Sequence, residues 1–318
     1  MNSTLYDVVI VGGSYAGLSA AMTLGRSLRN GLVIDSGLPC NRQTPHSHNL
    51  ITHDGRTPGE IARIAREQVL AYPTVSFLTD KVITARREED TFVLATENGV
   101  ELSARKVLLA TGVVDEMPDL DGFAPCWGVS ILHCPYCHGY EVRGRKLGLL
   151  ANGDTGYELT KLIQHWSREL VLLTNGPATF TDEQRDLIAR LQVPVVESPV
   201  SRIDHENGQL RSVVFADGSR QPLDAMFTRL PIRQHHTLAE QLGCGLSTVP
   251  FPGLIEADEF GKTTVPGVYV AGDNSSPMRS VGVAISKGIM AAAWINRELI
   301  EEDLVRSSRV FTGLAEKS

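Results

Sequence analysis

The chain has 318 residues and a formal net charge of -7 at pH 7. This length allows two domains with sizeable cores, and an acidic chain without a clustered basic stripe argues against a nucleic-acid partner. The first residues have no basic segment followed by an apolar run and a small-residue cleavage site, and no run approaches the ~20 apolar residues of a membrane helix. We therefore expect a cytoplasmic protein that does not bind a membrane.

The first predicted element is a buried parallel strand over residues 6–11, a near-continuous apolar run with β-branched members. It leads into a turn that reads Gly-Gly-Ser-Tyr-Ala-Gly and then into a helix that starts with small residues. Glycines permit a tight turn and close approach of the backbone, and the helix amides then point at a pyrophosphate. A plain strand-to-helix turn is the alternative. The residues assigned to a dinucleotide are Gly12, Gly13, Ser14, Ala16 and Gly17.

A second strand over residues 31–35 ends in Asp35, about 20 residues after the turn, where an acid binds a ribose hydroxyl. The prolines and histidines of the next loop, residues 39–49, exclude a strand or a helix interior. The histidines at positions 46, 48 and 53 suggest a metal site as one alternative. We expect no metal there, on the ground that Cys40 alone among cysteines and acids is counted as a neighbouring ligand.

Further along, a β-hairpin with an Asn-Gly turn is predicted over residues 92–99. A buried strand follows and ends in Thr111 and Gly112. The stretch HCPYCHGYE then spans residues 133–141.

The two cysteines of this stretch, Cys134 and Cys137, allow three interpretations: attachment of a c-type haem, half of a zinc site, or a reversible dithiol. Haem attachment normally takes place outside the cytoplasm. No second C-x-x-C completes a zinc site, because the cysteines at positions 40, 126 and 244 are singly placed, although Cys126 and His133 could join the pair as ligands. The dithiol is favoured, and it requires an electron partner.

The order strand, turn, helix and hairpin recurs in the second half of the chain. Residues 146–166 predict a strand, a turn and a helix, and a hairpin with an Asp-Gly turn at residues 217–218 leads to a strand at 225–230. This duplication predicts an α/β fold of two three-layer Rossmann-like nucleotide-binding domains, the second inserted into the first. We place the first domain at residues 1–115 and 244–318, and the insert, with the cysteine pair, at 116–243.

The last predicted elements are a strand that ends in Gly272 and Asp273 and a helix of small residues over 281–296. With the glycine turn and the Thr-Gly strand, they resemble the flavoprotein disulfide reductases. In that family the Gly-Asp aspartate binds the ribityl chain of FAD, and the next helix aims its N-terminus at the flavin. A helix N-cap is the alternative role for Asp273. The resemblance implies FAD bound by the turn residues and by Asp35, Asn49, Thr111, Gly112, Gly272 and Asp273.

The position of the cysteine pair resembles that in thioredoxin reductases of low molecular weight, which carry C-x-x-C-D-G at this place. The likeness covers nearly the whole chain and implies a FAD-dependent thiol–disulfide oxidoreductase that forms a homodimer. It implies that substrate attacks Cys134, that Cys137 faces the flavin and that His138, in place of the aspartate, carries protons. Glu141 is assigned to orient the imidazole. A packing role for His138 and a solvated acid at Glu141 are the alternatives.

The second turn departs from the reductase pattern. Ala151 stands at the first glycine position, and residues 175–178 have neither the arginines that bind the 2′-phosphate of NADPH nor an acid for NAD, so NADP(H) is weakly supported as a cofactor. The motif C-P-x-C-H-G-Y-E resembles the thioredoxin-reductase-like dithiol oxidases of natural-product pathways, of the gliotoxin, holomycin and romidepsin type. That resemblance implies a small-molecule dithiol as substrate. A reductase of a thioredoxin-like protein, fed by NADPH or ferredoxin, and a flavin-binding sensor are the other hypotheses.

Overall fold

The computed structural model describes residues 5–315, so residues 1–4, which entered the prediction about a leader peptide, lie outside the described range. The strands are β1 (Leu5–Val11), β2 (Gly31–Asp35), β3 (Val75–Thr79), β4 (Val82–Glu88), β5 (Thr91–Thr96), β6 (Glu101–Leu109), β7 (Val113–Asp115), β8 (Ile131–Leu132), β9 (Leu147–Leu150), β10 (Leu170–Leu173), β11 (Val195–Val196), β12 (Val200–Glu206), β13 (Gln209–Phe215), β14 (Arg220–Pro222), β15 (Ala225–Phe227), β16 (Ile232–Gln234) and β17 (Val268–Val270). The helices are α1 (Tyr15–Arg26), α2 (Pro58–Leu70), α3 (Phe123–Cys126), α4 (Pro135–His138), α5 (Gly153–Ile163), α6 (Asp182–Arg190), α7 (Leu238–Gln241) and α8 (Val281–Ala315). A 3₁₀ turn covers Asp273–Ser275.

The chain divides into two compact units. Unit 1 consists of Met1–Cys40, Gly59–Val114 and Ile232–Ser318, and unit 2 consists of Asn41–Pro58 and Asp115–Pro231.

Unit 1 is built on a sheet in the order β3-β2-β1-β6-β5-β4, in which β17 also pairs with the end of β6. The strands β3, β2, β1, β6 and β17 are parallel, whereas β5 and β4 continue as antiparallel strands. Val9 and Val11 of β1 pack in one cluster with the hairpin residue Leu94. Ile10, which points to the opposite face, lies against α1 beside Gly17. Because β1 is covered on both faces, its sequence is apolar without alternation.

Unit 2 has three layers around a parallel sheet in the order β11-β10-β9-β15-β8. One face, with Leu147 and Leu172, packs on Leu159 of α5 and Ile188 of α6. The other face packs on the antiparallel sheet β12-β13-β14. The predicted α/β class with two three-layer units is confirmed.

Two boundaries differ from those predicted. The insert was expected to run to residue 243, but residues 232–243 fall in unit 1, because β16 pairs with β7 and α7 packs on β4. Residues 41–58, expected in the first domain, belong to unit 2.

The last helix is longer than predicted, since α8 continues past residue 296 to Ala315. Its second half carries many charged residues, and it is tied to the rest of unit 1 by ion pairs such as Arg29–Asp303 at 2.7 Å. Among residues 5–315, no helix is both long and apolar enough to cross a membrane.

Candidate functional site

The cysteine pair lies at the start of the one-turn helix α4 in unit 2. Cys134 is the extended residue before the helix, and Pro135 is its first residue, where the restricted φ of proline suits a helix start. Cys137 and His138 both donate their backbone N–H to the Cys134 carbonyl, at 3.2 Å. This turn brings the two sulfur atoms to 2.9 Å from each other. A small rotation closes a disulfide from this position.

His138, directly after the pair, has a largely buried side chain. Burial lowers the pKa of His138 below its usual value, and a hydrogen bond with the His46 backbone and the charge of Glu141 act in the opposite direction. Within the described part of the chain, its Nε2 atom is buried and has no hydrogen-bond partner. A neutral imidazole whose buried Nε2 has no hydrogen-bond partner can accept a proton from a thiol and later donate it back.

Glu141 contacts a different histidine from the one predicted. Its Oε1 lies 3.6 Å from Nε2 of His48, and the other ring nitrogen of His48 lies 3.5 Å from Oδ1 of Asp54. The rings of His48 and His138 form an edge-to-face pair with centroids 6.4 Å apart. His138 is therefore oriented through the His46 backbone, and Glu141 acts on it through space.

The residues opposite α4 belong to a short loop, residues 46–56, which we call the histidine loop. Ser47 donates its N–H to the Arg56 carbonyl at 2.7 Å and accepts from Gly55 at 2.9 Å, so the loop closes on itself. Asp54 accepts the backbone N–H of Asn49 at 2.7 Å. Asn49, predicted to touch FAD, lies in this loop, with a left-handed φ of 59°. Its contact with FAD stays a prediction.

The glycine turn of unit 1 leaves no space for side chains. A Cβ on Gly12 would lie 2.3 Å from the Ala110 carbonyl oxygen, and one on Gly17 would lie 1.9 Å from the oxygen of Gly12. Gly12 also has a φ of 107°, which favours glycine. Ser14 precedes α1 without a side-chain hydrogen bond to the helix. Ala16 is approached closely by α8, where a Cβ on Gly288 would meet its carbonyl oxygen at 2.1 Å.

Two predicted FAD-binding acids of unit 1, Asp35 and Asp273, lie at or just after the carboxyl ends of β2 and β17. Asp35 accepts the N–H of Gly13 at 3.0 Å, at the end of β2. Asp273 follows Gly272 after β17, and its carboxylate lies 3.3 Å from Nε of Arg279 and 4.0 Å from Sγ of Cys40.

The neighbouring Asn274 links this segment to the predicted Thr-Gly pair. Its Nδ2 donates to the Leu109 carbonyl at 2.8 Å and to Oγ1 of Thr111 at 3.3 Å. Gly112 follows with a φ of 64°. In the described chain, the buried Oδ1 of Asn274 has no partner.

These residues of unit 1 fit FAD. The glycine turn has no room for side chains, as a backbone that approaches a pyrophosphate closely requires, and Asp35 stands at the end of β2, where an acid binds a ribose. The unpartnered Asn274 oxygen and the Asp273 carboxylate lie together at the end of β17.

The second turn, in unit 2, has a different structure because a side chain fills it. Oδ1 of Asn152 accepts from the first amide of α5, at Gly153 (2.8 Å), and from the N–H of Thr179 (2.9 Å). Its Nδ2 donates to the Pro177 carbonyl at 2.8 Å. Arg185 holds the same loop through the Ala178 carbonyl. Asn152 thus bonds the first amide of α5, one of the N–H groups that a pyrophosphate uses at the helix N-terminus of a dinucleotide site.

The zinc alternative for the cysteine pair included Cys126 as a ligand. Cys126 is fully buried in α3, away from solvent. Across residues 5–315, no group of three or more His, Cys, Asp or Glu side chains could hold a metal ion.

The sequence analysis did not predict three features of the candidate sites. They are the contact of His48 with Glu141, the contact of His48 with Asp54, and the hydrogen bonds of Asn152 at the second turn. Only the last had a local signal, since asparagine before a glycine and a helix is a strong N-cap. The other two depend on the placement of the histidine loop, which no periodicity reveals.

Comparisons with known proteins agree with the fold and with the motifs. Residues 6–288 match the family model described as pyridine nucleotide-disulphide oxidoreductase. The chain is 31% identical to "Thioredoxin reductase tcpT" of Claviceps purpurea, over 94% of this chain and 96% of the relative.

Solved structures are similar over more than nine-tenths of the chain. An oxidoreductase from Agrobacterium tumefaciens is 35% identical, with a TM-score of 0.88 over 93% of this chain and 99% of that one. The protein HlmI is 33% identical, with a TM-score of 0.91 over 98% of this chain and 97% of that one.

Proposed function

The chain belongs to the pyridine nucleotide-disulphide oxidoreductase family, and from this premise we propose that it is a FAD-dependent enzyme that oxidises a small-molecule dithiol to a disulfide. The observation that carries the proposal is the approach of the two sulfur atoms of Cys134 and Cys137, 2.9 Å apart and next to a buried histidine. The closed turn at Asn152 supports a substrate dithiol, rather than NADPH, as the electron donor.

Two exchange steps account for the chemistry. A substrate thiolate attacks Sγ of Cys134 in the oxidised pair; the bond between the cysteines breaks, and Cys137 leaves as a thiolate. The second substrate thiolate then attacks the substrate sulfur of this mixed disulfide, which releases the oxidised substrate and the Cys134 thiolate. The substrate loses two electrons and two protons, and the cysteine pair gains the electrons.

His138 handles protons in these steps. Its vacant Nε2 takes the proton of an attacking thiol and returns it to a leaving cysteine thiolate. The residues that would hold FAD are the glycine turn, Asp35 and Asp273, and FAD when bound supplies the acceptor for the two electrons.

The test is anaerobic mixing of the oxidised, FAD-loaded protein with dithiothreitol and, separately, with NADPH. We expect the dithiol to bleach the flavin absorbance rapidly and NADPH to bleach it slowly. If dithiothreitol does not reduce the flavin, the dithiol oxidase proposal is wrong.

Relatives that are named thioredoxin reductases favour a second candidate, a reductase of a protein disulfide. Rapid and saturable reduction of the flavin by NADPH would establish this candidate in place of the oxidase.

The order of the cysteines has its own test, by intact-mass measurement after incubation with a small disulfide. Cys137→Ser should capture a substrate adduct at Cys134, and Cys134→Ser should not. An adduct on Cys134→Ser alone would reverse the assignment.

A further inference from the structure

The histidine loop has no role in the two exchange steps, yet it places the ring of His48 next to that of His138, with the ring centroids 6.4 Å apart. His48 has a carboxylate oxygen within 3.6 Å of each of its ring nitrogens, from Asp54 on one side and Glu141 on the other. Asp54 is itself anchored by the Asn49 N–H. The result is a chain of contacts from the loop backbone to Glu141.

We propose that His48 is a positioning residue for His138: held between Asp54 and Glu141, it keeps the Glu141 carboxylate beside the catalytic histidine. The proposal rests on the proposed function, because it concerns the histidine that handles the thiol protons. In this arrangement Glu141 is the negative charge that stabilises the imidazolium of His138, and His48 determines where that charge stands.

Burial and charge support this division of roles. The His138 ring is largely buried, and burial alone disfavours its protonated form. His48 is 21% exposed, whereas Glu141 is 40% exposed, so an unrestrained Glu141 side chain would turn toward water. A contact that restrains Glu141 therefore has a measurable consequence for proton transfer at His138.

Glu141 and His48 have opposite effects on the pKa of His138, so the direction in which that pKa shifts in a variant tests the proposal. Glu141 raises the pKa of His138, whereas the charge of His48 lowers it. The titratable side chains around His138 include Glu141 and His48, together with the thiols of Cys134 and Cys137 on its own turn. Those around His48 include His46, Asp54, Glu141 and His138. If His48 acted only through its own charge, its removal would raise the pKa of His138. If it holds Glu141 in place, its removal lowers that pKa.

The experiment is an NMR titration of the Cε1–H signals in FAD-loaded protein with labelled histidine, in which His138→Ala identifies the His138 signal. We expect Glu141→Gln to move the His138 midpoint to lower pH and His48→Ala to move it in the same direction. The double variant should move it no further than Glu141→Gln alone, because His48→Ala acts only through the Glu141 charge, which Glu141→Gln has already removed. An upward shift in His48→Ala, or no shift, would overturn the proposal.

Control variants separate positioning from damage to the loop. Ile51 is 88% exposed in the same loop, so Ile51→Ala should leave the midpoint unchanged. His48→Gln retains a hydrogen-bond donor for Glu141 and should shift the midpoint less than His48→Ala. If His48→Ala does not fold, the same comparison is made between His48→Gln and Asp54→Asn, which should both lower the midpoint; an unchanged midpoint in both contradicts the proposal.

A kinetic readout distinguishes this proposal from the function on which it rests. The pH profile of flavin reduction by dithiothreitol should shift downward in Glu141→Gln and His48→Ala alike. A wild-type protein that dithiothreitol does not reduce contradicts the proposed function, while the titration still tests the role of His48. A reactive wild type with unmoved midpoints in both variants contradicts the role of His48 alone.

Discussion

The turns at residues 12–17 and 151–156 both lead from a strand into a helix, but they differ at the start of that helix. A side chain caps the helix in the second turn and not in the first. In the first, Ser14 makes no side-chain hydrogen bond to α1, and a Cβ on Gly12 or Gly17 would clash with backbone oxygen atoms. In the second, Asn152 bonds both the first amide of α5 and the Thr179 loop. A strand–turn–helix segment is therefore not by itself a dinucleotide site, because a side chain such as Asn152 can occupy a helix amide that the ligand would use.

The strongest test of this comparison exchanges equivalent glycines for alanine. A Cβ on Gly17 would lie 1.9 Å from a backbone oxygen, whereas a Cβ on Gly156 would meet its nearest atom at 3.0 Å. Gly17→Ala should lose bound FAD and more stability than the roughly 1–3 kcal/mol typical of overpacking. Gly156→Ala should keep its flavin. The flavin-to-protein ratio after gel filtration decides, and equal loss in both variants would show that the two turns do not differ.

A second test compares the two residues that precede the helices. Asn152→Ala removes the cap of α5 and should reduce the free energy of unfolding by about 1 kcal/mol, the usual cost of a lost N-cap. Ser14→Ala removes no side-chain cap and should leave the apoprotein unchanged. Urea denaturation of the apoproteins measures both. A destabilised Ser14→Ala would contradict the description of the first turn.

The smallest expected effect is a loss of stability of unit 1 at low pH. Burial opposes ionisation of Glu298 and Glu302 in unit 1, but hydrogen bonds from Lys262, Lys106 and Arg105 outweigh it and lower the pKa of both carboxyls. Their contribution to stability is complete above the ordinary carboxyl pKa, about 4.3, and is lost as the pH falls through the lowered value.

The ion pairs of unit 2, such as Arg211–Glu206, lie at the surface, where solvent screens them. Below about pH 4 we therefore expect amide hydrogen exchange to accelerate in α8 of unit 1 before it does so in the sheet of unit 2. Faster exchange in unit 2 first would contradict this expectation.

Local patterns explain which features could be predicted from sequence. The turn at Gly12, the acid at Asp35 and the cysteine pair each depend on a few consecutive residues, and their positions in the structure agree with the prediction. The two-unit α/β fold followed from repetition of the same short patterns.

The remaining features depend on contacts between distant segments. Nothing near Asn49 indicates that residues 41–58 join unit 2, and Glu141 meets His48 only because the histidine loop lies opposite α4. The end of α8 was placed too early because its charged half owes its stability to partners such as Arg29 and Arg105, far away in the chain.

The pairing of β17 with β6 has a consequence for the order of folding during synthesis. Val107 meets Val268 in this pair, so the sheet of unit 1 is incomplete until the ribosome has released most of the chain. All residues of unit 2 precede Ile232, and its parallel sheet can assemble earlier. The nascent chain therefore has its cysteine pair in a folded unit while the unit expected to bind FAD still lacks a strand and its last helix.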